Sequence, residues 1–372
     1  MRRVSLAGPT FLGLFVVAGP ALLGPLTALY VARPAALFLM PGMLLAVAVV
    51  ACDAWIIACR HWITGSFALT TQIAFLTFAG TYTAWPLPAP PPLSDLLPPA
   101  SPPAGMAIYA LPTGVIHRTA AFARRGGSLW EKWDSVMTAA LVRHPQGDLL
   151  IEAGLGRMIG AQFKQMPFFF RLATDLGPSE PAADQLDAAV YDRKQLRYIL
   201  LTHAHWDHVS GVPDFPGVPV LVTAAEHQFI AAGGFANAAA RSINASRWQE
   251  YAFDGGRYLG FDQSHDLYGD GSIVIVPAPG HTPGSVVVFV TLQGGTRYAF
   301  VGDLVWQREG ILEREERPWL VRKALEHDPV ALRQSLARMS AIATRFPQIT
   351  LVPSHDARGY ARLPRWPRSA LP

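Results

Sequence analysis

The chain has 372 residues, which is long enough for one large domain and a smaller second part. Apolar residues make up 51% and charged residues only 16%, with a mean hydropathy of +0.22, and this balance excludes an ordinary fully soluble composition. The net charge is +4, but Lys and Arg are scattered, so no nucleic-acid partner is expected. The two cysteines, Cys52 and Cys59, both lie in an apolar stretch, which excludes a disulfide framework and a thiolate metal site in the polar part.

Residues 1–87 are predicted to form a membrane region. No charged residue occurs from Val4 to Ala32, and this run directly follows Arg2 and Arg3. A cleaved signal peptide is the alternative for this run, but the run is too long for one and a second apolar run follows at once. The hydropathy pattern predicts about three transmembrane helices, over residues 4–32, 35–59 and 67–87.

The basic residues predict the orientation of this region in the lipid bilayer. With three spans, Arg2, Arg3 and Arg60 lie on one side and Arg33 lies on the other. Because positive charge is enriched on the cytoplasmic side, the C-terminal domain is expected in the periplasm of a bacterial-type inner membrane. A chain with two spans would have the opposite orientation.

A proline-rich linker is predicted over residues 88–104. Nine of the residues from Pro86 to Pro103 are proline, which favours an extended, semi-rigid spacer. After it, residues 105–372 have the texture of an α/β domain, with short β-branched runs separated by Gly, Pro and Asp. The predicted strands are Leu149–Ile151, Tyr198–Leu201, Val218–Val222, Ile273–Val276, Val286–Val290, Tyr298–Val301 and Ile349–Val352.

One helix is predicted from its start signal. Asp328 followed by Pro329 is typical of a cap and a first-turn proline, and Leu332, Leu336 and Met339 follow at helical spacing. This helix is expected to serve packing rather than chemistry.

The first candidate metal-ligand motif directly follows the predicted strand Tyr198–Leu201. It gathers His203, His205, Asp207 and His208 within six residues. Burying such groups without partners would cost several kcal/mol, whereas a divalent metal satisfies all of them, and zinc prefers this ligand set. Structural histidines are therefore the weaker interpretation.

Three further residues follow predicted strands in the same way, namely His281, Asp303 and His355. Since loops at the carboxyl ends of strands converge at one edge of an α/β sheet, these residues can meet the first motif. Seven ligands are too many for one tetrahedral zinc ion and suit two ions that share a carboxylate. The other histidines, including His117, His144, His227, His265 and His327, lack this setting.

These motifs resemble those of the metallo-β-lactamase superfamily. The resemblance rests on His203-Ala204-His205-Trp206-Asp207-His208, Gly280-His281-Thr282-Pro283-Gly284-Ser285, Gly302-Asp303 and Ser354-His355-Asp356, in that order. It implies a four-layer αββα sandwich in which His203, His205 and His281 hold one zinc ion, Asp207, His208 and His355 hold the second, and Asp303 bridges. The sequence departs from the family at Glu152, where an Asp is usual; Glu152 is a candidate for orienting a ligand histidine.

The resemblance also ranks the activities. β-Lactamases of this fold usually lack an aspartate at the position of Asp303, diiron members usually have Glu at the position of His205, and nucleases carry an added region that is absent here. A lactone or carboxylic ester is therefore the expected substrate, as in acyl-homoserine lactonases. The alternatives are a glyoxalase II-like thioesterase, then a β-lactamase, then a non-enzymatic metal-binding membrane module, which Asp53 within the second span favours.

The expected mechanism is attack by a metal-bridging hydroxide on the acyl carbonyl, with Asp207 or Asp303 as catalytic residues that relay the proton. The segment Met166–Phe170 is a candidate for lining an acyl pocket, although core packing is the stronger interpretation. Tyr251, Tyr258 and Tyr268 carry no assigned role.

Overall fold

The computed structural model describes residues 69–74, 77 and 80–367. The predicted spans 4–32 and 35–59 lie outside the described residues. In the range 67–87, residues 69–74, 77 and 80–82 are helical, and residues 84–87 have no regular structure. Within the described part of the chain, no helix combines the length and the apolar character needed to cross a membrane.

The chain divides into two units between Trp85 and Pro86. In the second unit, the proline-rich segment 88–103 has no helix or strand. It is not a free spacer, however, because the Asp95 carboxylate accepts a hydrogen bond from Gly260 N and Leu93 and Leu97 pack against the core. The domain bounds proposed from the sequence remain a prediction.

The first sheet of the domain has seven strands in the order β4-β1-β2-β3-β5-β6-β7. The neighbouring pairs β4–β1, β1–β2 and β2–β3 are antiparallel. The neighbouring pairs β3–β5, β5–β6 and β6–β7 are parallel. The strands are β1 Ala107–Thr119, β2 Lys132–Arg143, β3 Asp148–Ile151, β4 Asp175–Ser179, β5 Leu196–Leu200, β6 Val220–Thr223 and β7 Trp248–Tyr251.

The second sheet has five strands in the order β12-β11-β10-β9-β8. Only the pair β11 and β12 is parallel among these strands. Since β10 runs antiparallel to both β9 and β11, the carboxyl ends of β9, β11 and β12 lie at the same edge of this sheet. The strands are β8 His265–Asp266, β9 Ile273–Pro277, β10 Val286–Thr291, β11 Arg297–Gly302 and β12 Ile349–Pro353.

The helices of the domain are short, with one exception. The exception is α10, of 17 residues, which begins where the sequence predicts: the Asp328 carboxylate accepts hydrogen bonds from the backbone N–H groups of Val330 and Ala331. The helices are α1 Ala120–Ala123, α2 Ile159–Lys164, α3 Phe168–Leu172, α4 Ala182–Ala188, α5 Trp206–Val209, α6 Ala224–Ala232, α7 Ala238–Arg241, α8 Glu309–Leu312, α9 Trp319–Leu325, α10 Pro329–Arg345 and α11 Ala357–Tyr360. Four 3₁₀ turns complete the list, at Arg193–Gln195, Val212–Asp214, Ala245–Arg247 and Gln293–Gly295.

Three apolar clusters order these elements into layers. The cluster between the sheets joins residues such as Leu149 and Leu200 of the first sheet to Ile275 and Val288 of the second. A second cluster joins the other face of the first sheet to α4 to α7, and a third joins the second sheet to α10 through Leu332, Leu336 and Met339. The expected αββα layering is confirmed, and α10 has the packing role that its sequence predicts.

Candidate functional site

The site is formed where loops from both sheets meet. The loop after β5 is tied to the second sheet, because Val286 N donates to Thr202 O over 3.0 Å. The loops after β11 and β12 are tied to each other by a 3.2 Å hydrogen bond from Ser354 N to Gly302 O. Gly302 has a φ of 56°, and a Cβ there would lie 2.6 Å from Thr202 Oγ1, so only glycine allows this approach.

Three buried imidazoles form the first ligand cluster, which consists of His203, His205 and His281. His205 Nδ1 lies 3.2 Å from His203 Nε2 and 2.9 Å from His281 Nε2. One proton on His205 Nδ1 cannot serve both neighbours, whereas a cation among the three nitrogen atoms would satisfy all of them.

The second ligand cluster consists of Asp207, His208 and His355. Asp207 Oδ2 lies 3.4 Å from His355 Nε2 and 3.9 Å from His208 Nε2. His355 Nδ1 lies 2.9 Å from Val136 O, a carbonyl that can only accept, so this nitrogen carries the proton and Nε2 is left with its lone pair toward the site.

Asp303 lies between the two clusters. Its Oδ2 lies 3.5 Å from His281 Nε2 and 4.0 Å from His203 Nε2, in the first cluster. Its Oδ1 lies 3.2 Å from His355 Nε2 and 3.3 Å from His208 Nε2, in the second cluster. The structure thus brings together all seven residues that the sequence singled out.

A separate observation also indicates that these residues suit a metal ion. His208 Nε2 and Asp303 Oδ1 are both buried and make no hydrogen bond with any described residue. An unpaired buried polar atom costs about 1–3 kcal/mol, and such atoms at a His and Asp cluster are those that a divalent cation satisfies. The chemistry of the donor set therefore supports a divalent metal site.

The two clusters differ in the direction in which the pKa values of their histidines are shifted. Burial lowers the pKa of His205 to about 4 and holds the pKa values of His203 and His281 well below the ordinary value. Burial also lowers the pKa of His208, but the carboxylates of Glu152, Asp207 and Asp303 outweigh it and hold this pKa well above the ordinary value. The pKa of His355 is raised in the same way, mainly by Asp303 against burial.

Glu152 contacts the second cluster from behind. Its Oε1 accepts hydrogen bonds from Thr202 N and Oγ1, and its Oε2 lies 3.3 Å from His208 Nδ1. The residue has a φ of 61°, a left-handed conformation that costs about 1–3 kcal/mol when a non-glycine residue adopts it at a functional site. The longer side chain therefore still reaches a ligand histidine.

Glu226, on α6, was not identified from the sequence. Its buried carboxylate accepts hydrogen bonds from Ala204 N at 2.7 Å, Thr282 Oγ1 at 2.6 Å and Gly284 N at 3.1 Å. Glu226 thus joins the loop of His203 and His205 to the loop of His281. The available signal, Thr223-Ala224-Ala225-Glu226, is typical of a helix start and gives no indication of this second role.

Trp306 and Arg317 hold Asp303 and were also missed. Trp306 Nε1 donates to Asp303 Oδ2 over 2.7 Å, and Arg317 Nη1 donates to Asp303 O over 2.6 Å. The guanidinium carbon of Arg317 lies 5.1 Å from the ring centre of Trp306. The stretch that follows Asp303 contained this tryptophan, but sequence spacing does not show where an indole N–H points.

A pocket opens above the ligands. Its base includes His205, Asp207, His281, Asp303 and His355. Its walls are mostly apolar, with a single guanidinium, and consist of Ile116, Arg118, Phe122, Ser135, Phe170, Trp206, Phe235, Ala236, Trp306 and Leu325.

The segment Met166–Phe170 divides among three environments. Met166 is buried in the core, Phe170 lines the pocket, and Phe168 and Phe169 are 72% and 68% exposed. Core packing thus holds for Met166 and in part for Phe170, and Phe170 also lines the pocket.

Comparisons of sequence identify a family and several relatives. The family profile described as "Metallo-beta-lactamase superfamily" matches residues 137–355. "Probable metallo-hydrolase Rv2300c" of Mycobacterium tuberculosis is 32% identical over 193 residues, which are 48% of this chain and 60% of that protein. "N-acyl homoserine lactonase AttM" of Rhizobium radiobacter is 28% identical over 123 residues, 32% of this chain and 44% of that protein. The chain therefore covers less than two thirds of the length of these relatives.

Solved structures share the fold. An N-acyl homoserine lactone hydrolase with N-hexanoyl-L-homoserine at its metal centre superposes with a TM-score of 0.56 at 15% identity, over 70% of this chain and 97% of that chain. A mutant of B. thuringiensis AiiA with N-decanoyl-L-homoserine bound gives 0.55 at 15% identity, over the same shares. The expectation of a metal-dependent hydrolase is supported by the matched family and by the metallo-hydrolase relatives. With its profile match across more than half of the sequence, the chain belongs to the metallo-beta-lactamase superfamily.

Proposed function

We propose that the protein is a dinuclear zinc hydrolase that cleaves a lactone or a carboxylic ester. The observation that carries this proposal is the position of Asp303, whose Oδ2 faces the first ligand cluster and whose Oδ1 faces the second. A carboxylate shared by two ligand sets supports two ions rather than one. His203, His205 and His281 would hold one ion, Asp207, His208 and His355 the other, and Asp303 both.

The ions, when bound, would supply Lewis-acid polarisation of a carbonyl and a lowered pKa for water. The chain's own residues orient and protect this centre. Asp303 is held on both sides, because Trp306 donates to its Oδ2 and Arg317 to its backbone carbonyl. Asp207 has a side chain that is 12% exposed, against 5% for Asp303, and it faces the pocket. Asp207 is therefore the better candidate for carrying a proton to the leaving oxygen at its carboxylate.

The pocket walls support an acyl substrate. Phe122, Phe170, Phe235 and Leu325 provide an apolar surface beside the ligands, which suits an alkyl chain. One relative is named an N-acyl homoserine lactonase, and one structure of the same fold is named an N-acyl homoserine lactone hydrolase. An acyl lactone or ester is accordingly the substrate class that we propose.

We also propose that residues 1–87 anchor the hydrolase to the inner membrane, with the domain in the periplasm. The support is the absence of charge from Val4 to Ala32 and the placement of Arg2, Arg3 and Arg60. Fusion of alkaline phosphatase after residue 372 should give an active phosphatase in cells. An inactive phosphatase, together with an active β-galactosidase fusion at the same point, would contradict the orientation.

The hydrolase proposal is tested on the full chain, purified in detergent. Zinc per chain is measured by elemental analysis, and hydrolysis is assayed with lactones, aryl esters, thioesters and cephalosporins. We expect two zinc ions and turnover of lactones or esters that is lost in His203→Ala. His227→Ala, which removes a histidine that pairs with Glu250 outside the site, is the matched control and should keep both.

Three outcomes would contradict parts of this proposal. A single tightly held ion would contradict the dinuclear site. Turnover of thioesters alone would favour the glyoxalase II-like alternative. A folded protein that binds no metal and hydrolyses none of these compounds would overturn the proposal as a whole.

A further inference from the structure

Arg118, on β1, differs from every other residue of the pocket wall. Among the residues that line the pocket, it is the only Lys or Arg. The carboxylates that line the pocket, Asp207 and Asp303, both face the ligand histidines. Arg118 is therefore the one residue of the pocket lining with a permanent positive charge, and it lies in a wall that is otherwise mostly apolar.

The guanidinium of Arg118 is held in place by neutral groups. Its Nη2 donates to Thr174 Oγ1 over 3.0 Å, and its Nη1 donates to Ala173 O. Its central carbon lies 4.5 Å from the ring centre of Phe122. These contacts use two of the five N–H donors of a guanidinium and fix the plane in which the remaining donors point.

Arg118 has no ion-pair partner in the described part of the chain. No carboxylate oxygen there lies within 4.0 Å of its nitrogen atoms, whereas Arg157, Arg193, Arg317 and Arg358 each have one that does. Burial lowers the pKa of Arg118, and the charge of Asp175 opposes this only in part. A partly desolvated guanidinium without a counter-ion gains more from an anionic ligand than one on the open surface.

The charge is linked to the reacting centre by a stack of rings. Phe122, below Arg118, stacks on Trp306 with ring centres 5.5 Å apart and an interplanar angle of 16°. Trp306 in turn donates to Asp303. Arg118, Phe122 and Trp306 thus line one wall that leads from the guanidinium to the ligands, with Phe170 and Leu325 also lining the pocket.

From this arrangement we infer that Arg118 selects substrates whose acyl chain ends in a carboxylate, such as monoesters of short dicarboxylic acids. The ester would lie at the metal ligands, the alkyl chain along Phe122, and the terminal carboxylate against the free donors of Arg118. This inference rests on the proposed ester hydrolase function and adds the charge of the substrate to it. It assigns Arg118 a role in specificity, with no part in the bond-breaking step.

The test compares two esters with acyl chains of equal length, para-nitrophenyl monoadipate and para-nitrophenyl hexanoate, on the full chain loaded with zinc. A charge-assisted hydrogen bond predicts a kcat/KM for the adipate ester about 10- to 100-fold above that for the hexanoate ester. In Arg118→Gln this ratio should fall to about 1, with a larger loss of turnover for the adipate ester than for the hexanoate ester. Arg118→Lys should keep part of the preference, because it keeps the charge and loses the planar fork.

A matched control uses the neighbouring charge on α3. Arg171 is exposed and does not line the pocket, so Arg171→Gln should leave the ratio unchanged. An equal fall with both esters in Arg118→Gln would overturn the inference and leave Arg118 only as a tether for Ala173 and Thr174. No preference for the adipate ester in the unmodified protein would also overturn it.

A binding measurement separates this inference from the proposed function. If neither ester is hydrolysed, the proposed function fails, and calorimetric titration with adipate monoamide still tests Arg118. Weaker binding of this monoanion to Arg118→Gln than to the unmodified protein would support the anion site. Equal binding to the two proteins would overturn it.

Discussion

The two ligand clusters differ in the pKa values of their histidines and in the residues that hold them. The first, His203, His205 and His281, is held at neutral charge by burial, and Glu226 fixes its loops through backbone and hydroxyl donors. In the second, Asp207, His208 and His355, neighbouring carboxylates raise the pKa values of both imidazoles against burial. Protons should therefore compete with a metal more strongly at the second cluster than at the first.

This difference predicts an order of metal affinity. Neutral imidazoles bind a divalent cation directly, whereas a site with protonated ligands releases protons on binding and loses apparent affinity. We therefore expect the first ion to be held more tightly at neutral pH. Asp303 contacts both clusters, so its removal should weaken the binding of both ions.

The largest expected effect is that of Asp303→Ala. Because both clusters lose a ligand, we expect the zinc content to fall in both and kcat/KM to drop on the order of 1,000-fold. Elemental analysis and ester turnover measure the two effects, with the exposed Asp262→Ala as a control that should change neither. Retention of one full ion with near-normal turnover would contradict the shared role of Asp303.

Glu226→Gln should affect metal binding at the two clusters differently. The amide cannot accept from Ala204 N and from the Thr282 and Gly284 donors at once, so the loops of the first cluster should loosen. We expect affinity for the first ion to fall about 10- to 100-fold, with the second ion little affected. Competition with a chelating indicator measures both steps.

The exposed Glu250→Gln is the matched control for this variant. An equal loss of both ions in Glu226→Gln would mean that Glu226 supports the fold in general, and the comparison between the clusters would then fail at this residue.

A smaller effect is expected for Glu152→Gln, in the second cluster. Its contact with His208 Nδ1 is 3.3 Å long, and Thr202 occupies its other oxygen. We expect about a tenfold loss of affinity for the second ion, at the lower end for a residue that orients a ligand. The same chelator competition should show the first ion unchanged; loss of the first ion ahead of the second would reverse our assignment.

The smallest expected effect concerns the ion pair of Arg358 and Glu309, which lies near His355. Arg358 binds both oxygens of Glu309, at 2.7 and 2.6 Å, and also contacts Asp356. Burial raises the pKa of Glu309, but Arg358 lowers it by more, so the net shift is downward. Stability from this pair is therefore present above the unfolded-state pKa of about 4.3 and is lost as the pH falls through the lower folded value.

Urea unfolding of the metal-free protein tests this pair. Relative to Glu309→Gln, the unmodified protein should be more stable by less than about 1 kcal/mol at neutral pH, because the pair is partly exposed. The difference should shrink as the pH falls below about 4.3. A difference that stays constant across this range would contradict the ion-pair explanation.

The sequence predicts the buried strands well, because each is a short β-branched run between turn residues. Predicted Ile273–Val276, Tyr298–Val301 and Ile349–Val352 lie within β9, β11 and β12, and each is followed by its site residue. The long hairpin of β1 and β2 was missed. Its sequence mixes Ala, Thr, Pro, Gly and charged residues, and its register shifts between Pro112 and Gly114, so pairing rather than local preference makes it a strand.

The site was predictable to the extent that ligands follow strand ends. His203, Asp303 and His355 needed only that rule, whereas Glu226 and Arg118 needed the packing of distant segments. Glu226 reaches Thr282, 56 positions away, and Arg118 reaches Thr174, also 56 positions away. In the sequence, Glu226 resembles part of an ordinary helix start, and Arg118 resembles an ordinary charged residue of a strand. Only the tertiary contacts distinguish them.

The parallel pairing of β11 with β12 has a consequence for the order of assembly during folding. His355 follows β12, which reaches β11 only after a long crossover that includes α10. Contacts across such a crossover close a large loop and form slowly. The first cluster joins the loops after β5 and β9, with His205 and His281 76 positions apart. The second cluster needs the loop after β5 and the loop after β12, which lie farther apart in sequence, so we expect it to be completed after the first.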